Sequence, residues 1–149
     1  MVSPVRRNLA LPDLGDLLAL PLVAVLATYR QNGNVLLSPV WHEWRDGGFD
    51  VVIGRDGVKA RHLRRDKRAI ILVYEHSAPY RGVELRGRAV LLDEEAESAS
   101  RRLAVRYLGK AEGEAYAARV GEETLVRLEP GELRAWDFAD EYCTKLERR

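Results

Sequence analysis

The clearest alternation of apolar and polar positions in this chain runs from Tyr80 to Leu92. Val83, Leu85, Gly87 and Ala89 fall on one side and Glu84, Arg86 and Arg88 on the other, and this period of two predicts a long half-buried strand. Gly87 inside it marks a bulge or a bend. Upstream, the apolar run Leu22–Tyr29 predicts a buried strand. Asn32-Gly33 follows as a hairpin turn, since both residues tolerate positive φ, and the return strand runs from about Val35 to Trp44. Asp46-Gly47-Gly48 makes a second turn and Phe49–Ile53 a third strand, so that the three form a meander. Ala69–Tyr74 is a fourth strand, ended by Ser77-Ala78-Pro79. Thr124–Leu128 and Leu133–Phe138 are the last two, around a turn at Pro130-Gly131.

Helical signals interrupt the strands at a few points. Pro12–Leu20 reads as a short helix ending before Pro21, because a residue ahead of proline is pushed out of helical geometry. A helix from about Val58 to Asp66 turns Val58, Leu63 and His62 inward and its arginines outward. Asp93 stands as the N-cap, with Glu94 and Glu95 in the first turn, of a helix that reaches about Leu108. Gly109 stops it, and a restart covers Ala115–Val120. Residues 1 to 11 read as a loose arm and the tail from Asp140 as a charged, frayed end. No repeat or linker divides the chain, so residues 1–149 are expected to form one domain with its core at about 11–138. About seven strands, joined mostly by tight turns, predict a mainly β protein whose antiparallel sheet closes into a barrel or sandwich.

Composition narrows the functional classes. The chain has 149 residues, enough for a real core, and 46% of them are hydrophobic. A formal net charge of +1 argues against a general nucleic-acid coat. Basic residues nevertheless crowd one segment: Arg55, Lys59, Arg61, Arg64, Arg65, Lys67 and Arg68. Aromatic residues are not interleaved with them, so no nucleic-acid partner is expected. The single cysteine, Cys143, cannot form an internal disulfide and fits a reducing compartment. The first ten residues lack the apolar stretch of a secretory signal, and no apolar run is long enough for a bilayer. The expectation is a cytoplasmic protein without a membrane partner.

Candidate chemistry centres on Gly54-Arg55-Asp56-Gly57-Val58-Lys59-Ala60-Arg61-His62-Leu63. A strand ends at a Gly-x-x-Gly turn that opens into a helix, and a helix start backed by Arg55 and Lys59 is a place for a phosphate. The same pattern also serves as a plain connector, and the basic run as a solvated helix face. The pattern is not a Walker loop, since the Gly-Lys-Ser/Thr ending is missing. Nor is it the dinucleotide fingerprint, whose glycine spacing differs. Ser38-Pro39-Val40-Trp41-His42-Glu43-Trp44 is aromatic-rich; such a strand suits either a core or the edge of a flat ring system. His42, His62 and His76 show no metal-ligand spacing, so no metal is expected. No nucleophile elbow is present. Cys143 reads as incidental, and the acidic cluster Asp93–Glu97 as helix capping.

Taken in order, Leu26-Ala27-Thr28, the Asn-Gly turn, Ser38-Pro39-Val40-Trp41, Gly54-Arg55 with Val58-Lys59-Ala60-Arg61, Tyr80–Ala89 and Leu133–Asp137 resemble the pyridoxamine 5′-phosphate oxidase-like split-barrel superfamily. The branch most similar is that of small actinobacterial proteins using the deazaflavin coenzyme F-420. The resemblance implies a six- to seven-stranded split barrel, a homodimer with cofactor sites at the interface, and an oxidoreductase passing a hydride to an unsaturated or quinone-like small molecule. FMN is the alternative cofactor, and a non-catalytic flavin, deazaflavin or haem binder the alternative role. It implies that Arg55, Val58, Lys59 and Ala60 hold the cofactor phosphate. Ser38, Pro39, Val40 and Trp41 would lie along the ring system, and Val52, Ile53 and Gly54 along the sugar-like chain. Tyr80 and Arg81 would stand at the entrance, and Trp136 would come from the partner subunit. No catalytic side chain is expected, because the cofactor carries the chemistry. Arg61, Arg64 and Arg65 would extend a cationic groove for the longer anionic tail of F-420. Leu133-Arg134-Ala135-Trp136-Asp137-Phe138 lacks the Arg-Leu-His-x-Arg type ending that grips a vitamin B6 phosphate, which argues against that substrate.

Overall fold

A computed structural model describes residues 6–7 and 9–139. The expectations for residues 1–5 and 8, for Cys143 and for the tail from Asp140 lie outside the described residues. The architecture is mainly β: seven antiparallel strands form one curled half-barrel, a two-residue eighth strand joins its side, and a few helices lie against it. The strands are β1 (Arg6–Arg7), β2 (Ala24–Tyr29), β3 (Val35–Val40), β4 (Glu43–Arg45), β5 (Gly48–Gly54), β6 (Arg68–Tyr74), β7 (Gly82–Leu92) and β8 (Glu123–Asp137). The helices are α1 (Val58–Arg65), α2 (Ala96–Leu108) and α3 (Lys110–Ala117). Across the sheet the order is β3-β2-β6-β7-β8-β5-β4, and the short β1 pairs with the end of β8. No helix among the described residues is long and apolar enough to cross a membrane.

The period-two reading of Tyr80–Leu92 holds. Val83, Leu85 and Ala89 are buried while Arg86 and Arg88 are exposed. They meet Leu26, Ile71 and Val73 from β2 and β6, and Phe49, Val51, Val126 and Leu128 from β5 and β8, in one core cluster. Leu63 of α1 and Leu14 and Leu17 of the entry segment close that core.

The predicted meander does not form. β2 and β3 make a hairpin, with Tyr29 opposite Val35, but the expected return strand Val35–Trp44 breaks at Trp41-His42. Its remainder, β4, pairs with β5 at the far end of the sheet. The cause lies in α2. The Tyr107 hydroxyl accepts the His42 backbone N–H at 3.0 Å and donates to the Leu22 carbonyl at 2.7 Å. The Arg106 guanidinium donates to the carbonyl of His42 at 3.0 Å and to Leu18, Ala19 and Leu20 beside it. Side chains thus take the backbone groups that a strand neighbour would use, and the chain crosses from one sheet edge to the other. The turn into β5 is tight, with Asp46 at φ 49° and Gly47 at φ 78°, the left-handed pair that matches strand twist.

Other boundaries shift for local reasons. The expected last two strands are one continuous β8, and Pro130-Gly131 is a bulge opposite Gly87, where the register slips. A Cβ on Gly87 would lie 2.1 Å from the Glu129 carbonyl oxygen, and one on Gly131 2.4 Å from that of Arg86. The two glycines therefore permit backbones to touch where a turn was expected. Pro12–Leu20 forms two short 3-10 turns, Leu11–Leu14 and Leu17–Ala19, rather than a helix. Part of the supposed loose arm is β1. Asp93 opens a 3-10 turn (Asp93–Glu95) without a side-chain cap, and α3 lies at Lys110–Ala117 rather than at Ala115–Val120. In α1 the inward positions are Ala60, His62 and Leu63, whereas Val58 is exposed.

Candidate functional site

A cleft of about 490 Å³ opens between the sheet and the α2–α3 pair. Pro39, Val40 and Trp41, at the point where β3 hands over to the crossing, form one wall, and Val52, Ile53 and Gly54 of β5 another. Ser100, Leu103 and Tyr116 face them from α2 and α3, with Val23 beside them. Lys59 and Glu123 supply the charges. The indole of Trp41 stacks on Tyr107 with ring centroids 5.0 Å apart and planes 8° apart, and Tyr116 leans on it at 5.3 Å. A ring set between two tyrosines presents a fixed flat edge, which suits a planar ligand.

The corner where a phosphate was expected is built by the β5–α1 connection. The Gly57 N–H donates to the Gly54 carbonyl at 3.2 Å, and the Arg55 N–H to the Glu122 carbonyl at 3.0 Å, so the turn is anchored to the start of β8. The Arg55 guanidinium is held by Glu122 at 3.2 Å, while its buried Nε has no hydrogen-bond partner. Lys59, half-buried one turn later, makes no ion pair among the described residues. It is the cation of the cleft wall left available to a ligand anion. Beneath it the His62 Nδ1 and the Thr28 hydroxyl lie 3.0 Å apart and fasten α1 to β2. Burial first, then Arg65, Arg30 and Arg61, hold the His62 imidazole below its ordinary value.

Seven of the residues expected at the site line this cleft: Pro39, Val40, Trp41, Val52, Ile53, Gly54 and Lys59. Ser38 is buried on β3 opposite Leu26, and Ala60 is buried in α1. Arg55 and exposed Val58 stand beside the cleft without lining it. Tyr80 and Trp136 line a different depression of about 390 Å³, with Leu72, Tyr74, Glu75, His76 and Phe138. Arg81 is drawn into an ion network: its guanidinium bonds Glu75 at 2.9 Å, Asp16 at 2.8 Å and the Leu14 carbonyl at 2.7 Å. The Glu75 bond is the largest reason that its pKa is raised, and the same bond lowers that of Glu75. The chain by itself thus does not bring Tyr80, Arg81 and Trp136 to the cleft.

Sequence reasoning missed Ser100, Leu103, Tyr116, Glu123 and the stacking Tyr107. Ser100, Leu103 and Tyr107 recur at three- and four-residue spacing, which places them on one helical face. That spacing was the available signal. Among the described residues no group of three or more His, Cys, Asp or Glu could hold a metal. His42, fully buried, has a pKa lowered to about 4 by burial and by nearby Arg106, and neither ring nitrogen has a partner.

Comparison with known proteins places this geometry. The family described as pyridoxamine 5′-phosphate oxidase matches residues 12–137. A conserved hypothetical protein, Rv2991 of Mycobacterium tuberculosis, superimposes with a TM-score of 0.73 at 24% identity, over 87% of this chain and 86% of its own. An F-420 reductase does so at 0.66 and 21% identity, over 79% and 93%. An FAD-binding protein of Mesorhizobium loti gives 0.67 at 20%, over 90% and 98%. At these identities the likeness is one of fold. No curated protein matches the sequence.

Proposed function

Because this chain belongs to the pyridoxamine 5′-phosphate oxidase family, we propose that it is a cytoplasmic oxidoreductase that binds coenzyme F-420 in the Trp41 cleft and passes a hydride to an unsaturated or quinone-like small molecule. The observation that carries this reading is the cleft itself: a stacked aromatic wall at one side and an unpaired ammonium, Lys59, at a helix start. A ring system bearing a phosphate-ended chain matches both. The residues present therefore fit the cofactor. Lys59 and the first-turn N–H groups of α1 would hold the phosphate, with Arg55 behind them. Val52, Ile53 and Gly54 would flank the chain, while Pro39, Val40 and Trp41 would orient the ring. When bound, the deazaflavin supplies the hydride. The chain's own task is to fix the ring and exclude water, a task for which Leu103 and Tyr116 close the open side. Arg61 and Arg64, exposed on α1 without an ion pair among the described residues, favour F-420 over FMN, since FMN has no polyanionic tail.

The assembly proposed with it is a homodimer. β3 carries Val35, Leu37 and Pro39 exposed in a row, and Leu37 is 66% exposed. Their cross-strand neighbours Tyr29, Ala27 and Val25, and then Ile70 and Leu72, continue the same apolar face. That face runs into the depression holding Tyr80 and Trp136. A two-fold contact through it would carry those residues towards the partner's cleft. The test is a titration of oxidised F-420 followed by its fluorescence, then turnover of reduced F-420 with a quinone panel. Micromolar binding with turnover is expected, and no binding at that concentration would overturn the reading. Flavin absorbance in the purified protein would reassign the cofactor to FMN, and tight binding without turnover would reassign the role to a carrier.

A further inference from the structure

Glu122 and Glu123 are adjacent, yet they are committed differently. Glu122 is spent on Arg55. Glu123, opposite Gly54 in the β5–β8 pairing, lines the cleft, and its carboxylate makes no hydrogen bond or ion pair among the described residues. Lys59 lines the same cleft, and no ion pair joins the two. From the facing wall comes Ser100, a polar residue only 5% exposed, whose hydroxyl has no hydrogen-bond partner among the described residues and is not fully occluded. A serine set into an otherwise apolar helix face, its hydroxyl still open to the cleft, is placed to exchange water for a polar ligand group. The cleft therefore offers a cation, a carboxylate and a buried serine hydroxyl without side-chain partners among the described residues, set among aliphatic and aromatic side chains.

The carboxylate is the informative one. Beside a bare phosphate it would only repel. Beside a chain of hydroxyl groups it accepts strong charge-assisted bonds from the O–H donors. We propose that Glu123 and Ser100 form a polyol subsite that holds the hydroxylated chain of the cofactor between its ring and its phosphate, with Lys59 taking the phosphate alone. The inference rests on the cofactor reading above and adds its division of labour. It makes Glu123 a selector for polyhydroxylated chains over other linkers of equal length, and it explains why a negative charge is tolerated within an anion site.

Ligands differing by one part separate the roles: FMN; riboflavin, which lacks the phosphate; lumichrome, which lacks both chain and phosphate; and F-420 with its phosphate-free ribityl fragment. Dissociation constants are measured by fluorescence titration for the parent, Glu123→Ala, Glu123→Gln, Ser100→Ala and Lys59→Ala, with circular dichroism and denaturation midpoints confirming each fold. Glu123→Ala should weaken the phosphate-bearing and phosphate-free forms alike, by about tenfold, the worth of one charge-assisted bond. Ser100→Ala should act in the same direction by a smaller factor, Glu123→Gln should recover part of the loss, and lumichrome should be unaffected. Lys59→Ala should weaken only the phosphate-bearing forms. Unchanged binding in Glu123→Ala, or tighter FMN or F-420 binding in Glu123→Gln, would overturn the subsite. A parent protein that binds none of these ligands would instead overturn the cofactor reading.

Discussion

Removing the Lys59 ammonium tests the phosphate corner most directly. In Lys59→Ala the cleft loses its unpaired cation, while Arg55 remains tied to Glu122 at 3.2 Å. A charge-assisted bond contributes about 1.5–3 kcal/mol, and Lys59 is half-exposed, so the low end applies. A loss of about 1.5 kcal/mol corresponds to roughly tenfold weaker binding. Arg55→Ala should cost less, under about threefold, because that guanidinium is already neutralised by a carboxylate, and exposed pairs contribute little. Titration of F-420 and FMN against both variants gives the ratio, and the loss in Lys59→Ala should shrink as salt is raised. Denaturation midpoints should not move, since Lys59 holds nothing else in place. Equal binding by Lys59→Ala and the parent, or a larger loss in Arg55→Ala, would refute this account of the corner.

Three further outcomes follow from the packing. The His42 imidazole titrates near 4 in the fold against an ordinary 6.5, so its unfolded form takes up protons first. Stability is therefore full above about pH 6.5 and is lost as pH falls towards 4, by up to about 3 kcal/mol, and His42→Phe should flatten the pH 7 to 5 part of a denaturant-midpoint series. Leu37→Glu should leave the fold intact and yield a monomer with weaker cofactor binding in light scattering and titration; a dimer at micromolar concentration would remove this face from the interface. Gly87→Ala places a Cβ 2.1 Å from the Glu129 carbonyl and should lower the thermal midpoint by an amount equivalent to about 1–3 kcal/mol.

Local periodicity carries most of the fold because each face of this sheet has one side to bury. The alternation in β7 placed Val83 and Leu85 correctly, and the Asn-Gly and Asp-Gly signals fell at real turns. What local reading missed has a common cause: long-range bonds that replace local ones. A strand through Trp41-His42 satisfies every nearby rule, yet Tyr107 and Arg106, more than sixty residues later, take its backbone groups. Pro130-Gly131 has turn composition, yet the Gly87 backbone lies against it and keeps the strand running.

The cleft inherits the same division. Its β wall, from Pro39 to Trp41 and from Val52 to Gly54, was legible because the residues are contiguous in sequence. Its helical wall was not, because Ser100, Leu103 and Tyr116 acquire meaning only when the α2–α3 pair folds back. Gly113 governs that return: a Cβ there would sit 2.5 Å from the Val105 backbone nitrogen, so only glycine lets α3 cross α2 closely enough to bring Tyr116 onto Trp41. Arg106 and Tyr107 fix Trp41 from one side, and Gly113 admits Tyr116 from the other. The edge of the cleft at Trp41 is thus set by an arginine, a tyrosine and a glycine, none of which lines the cleft. Gly113→Ala should consequently weaken cofactor binding more than its distance from the cleft suggests, and a variant with parental affinity would show that Tyr116 is dispensable.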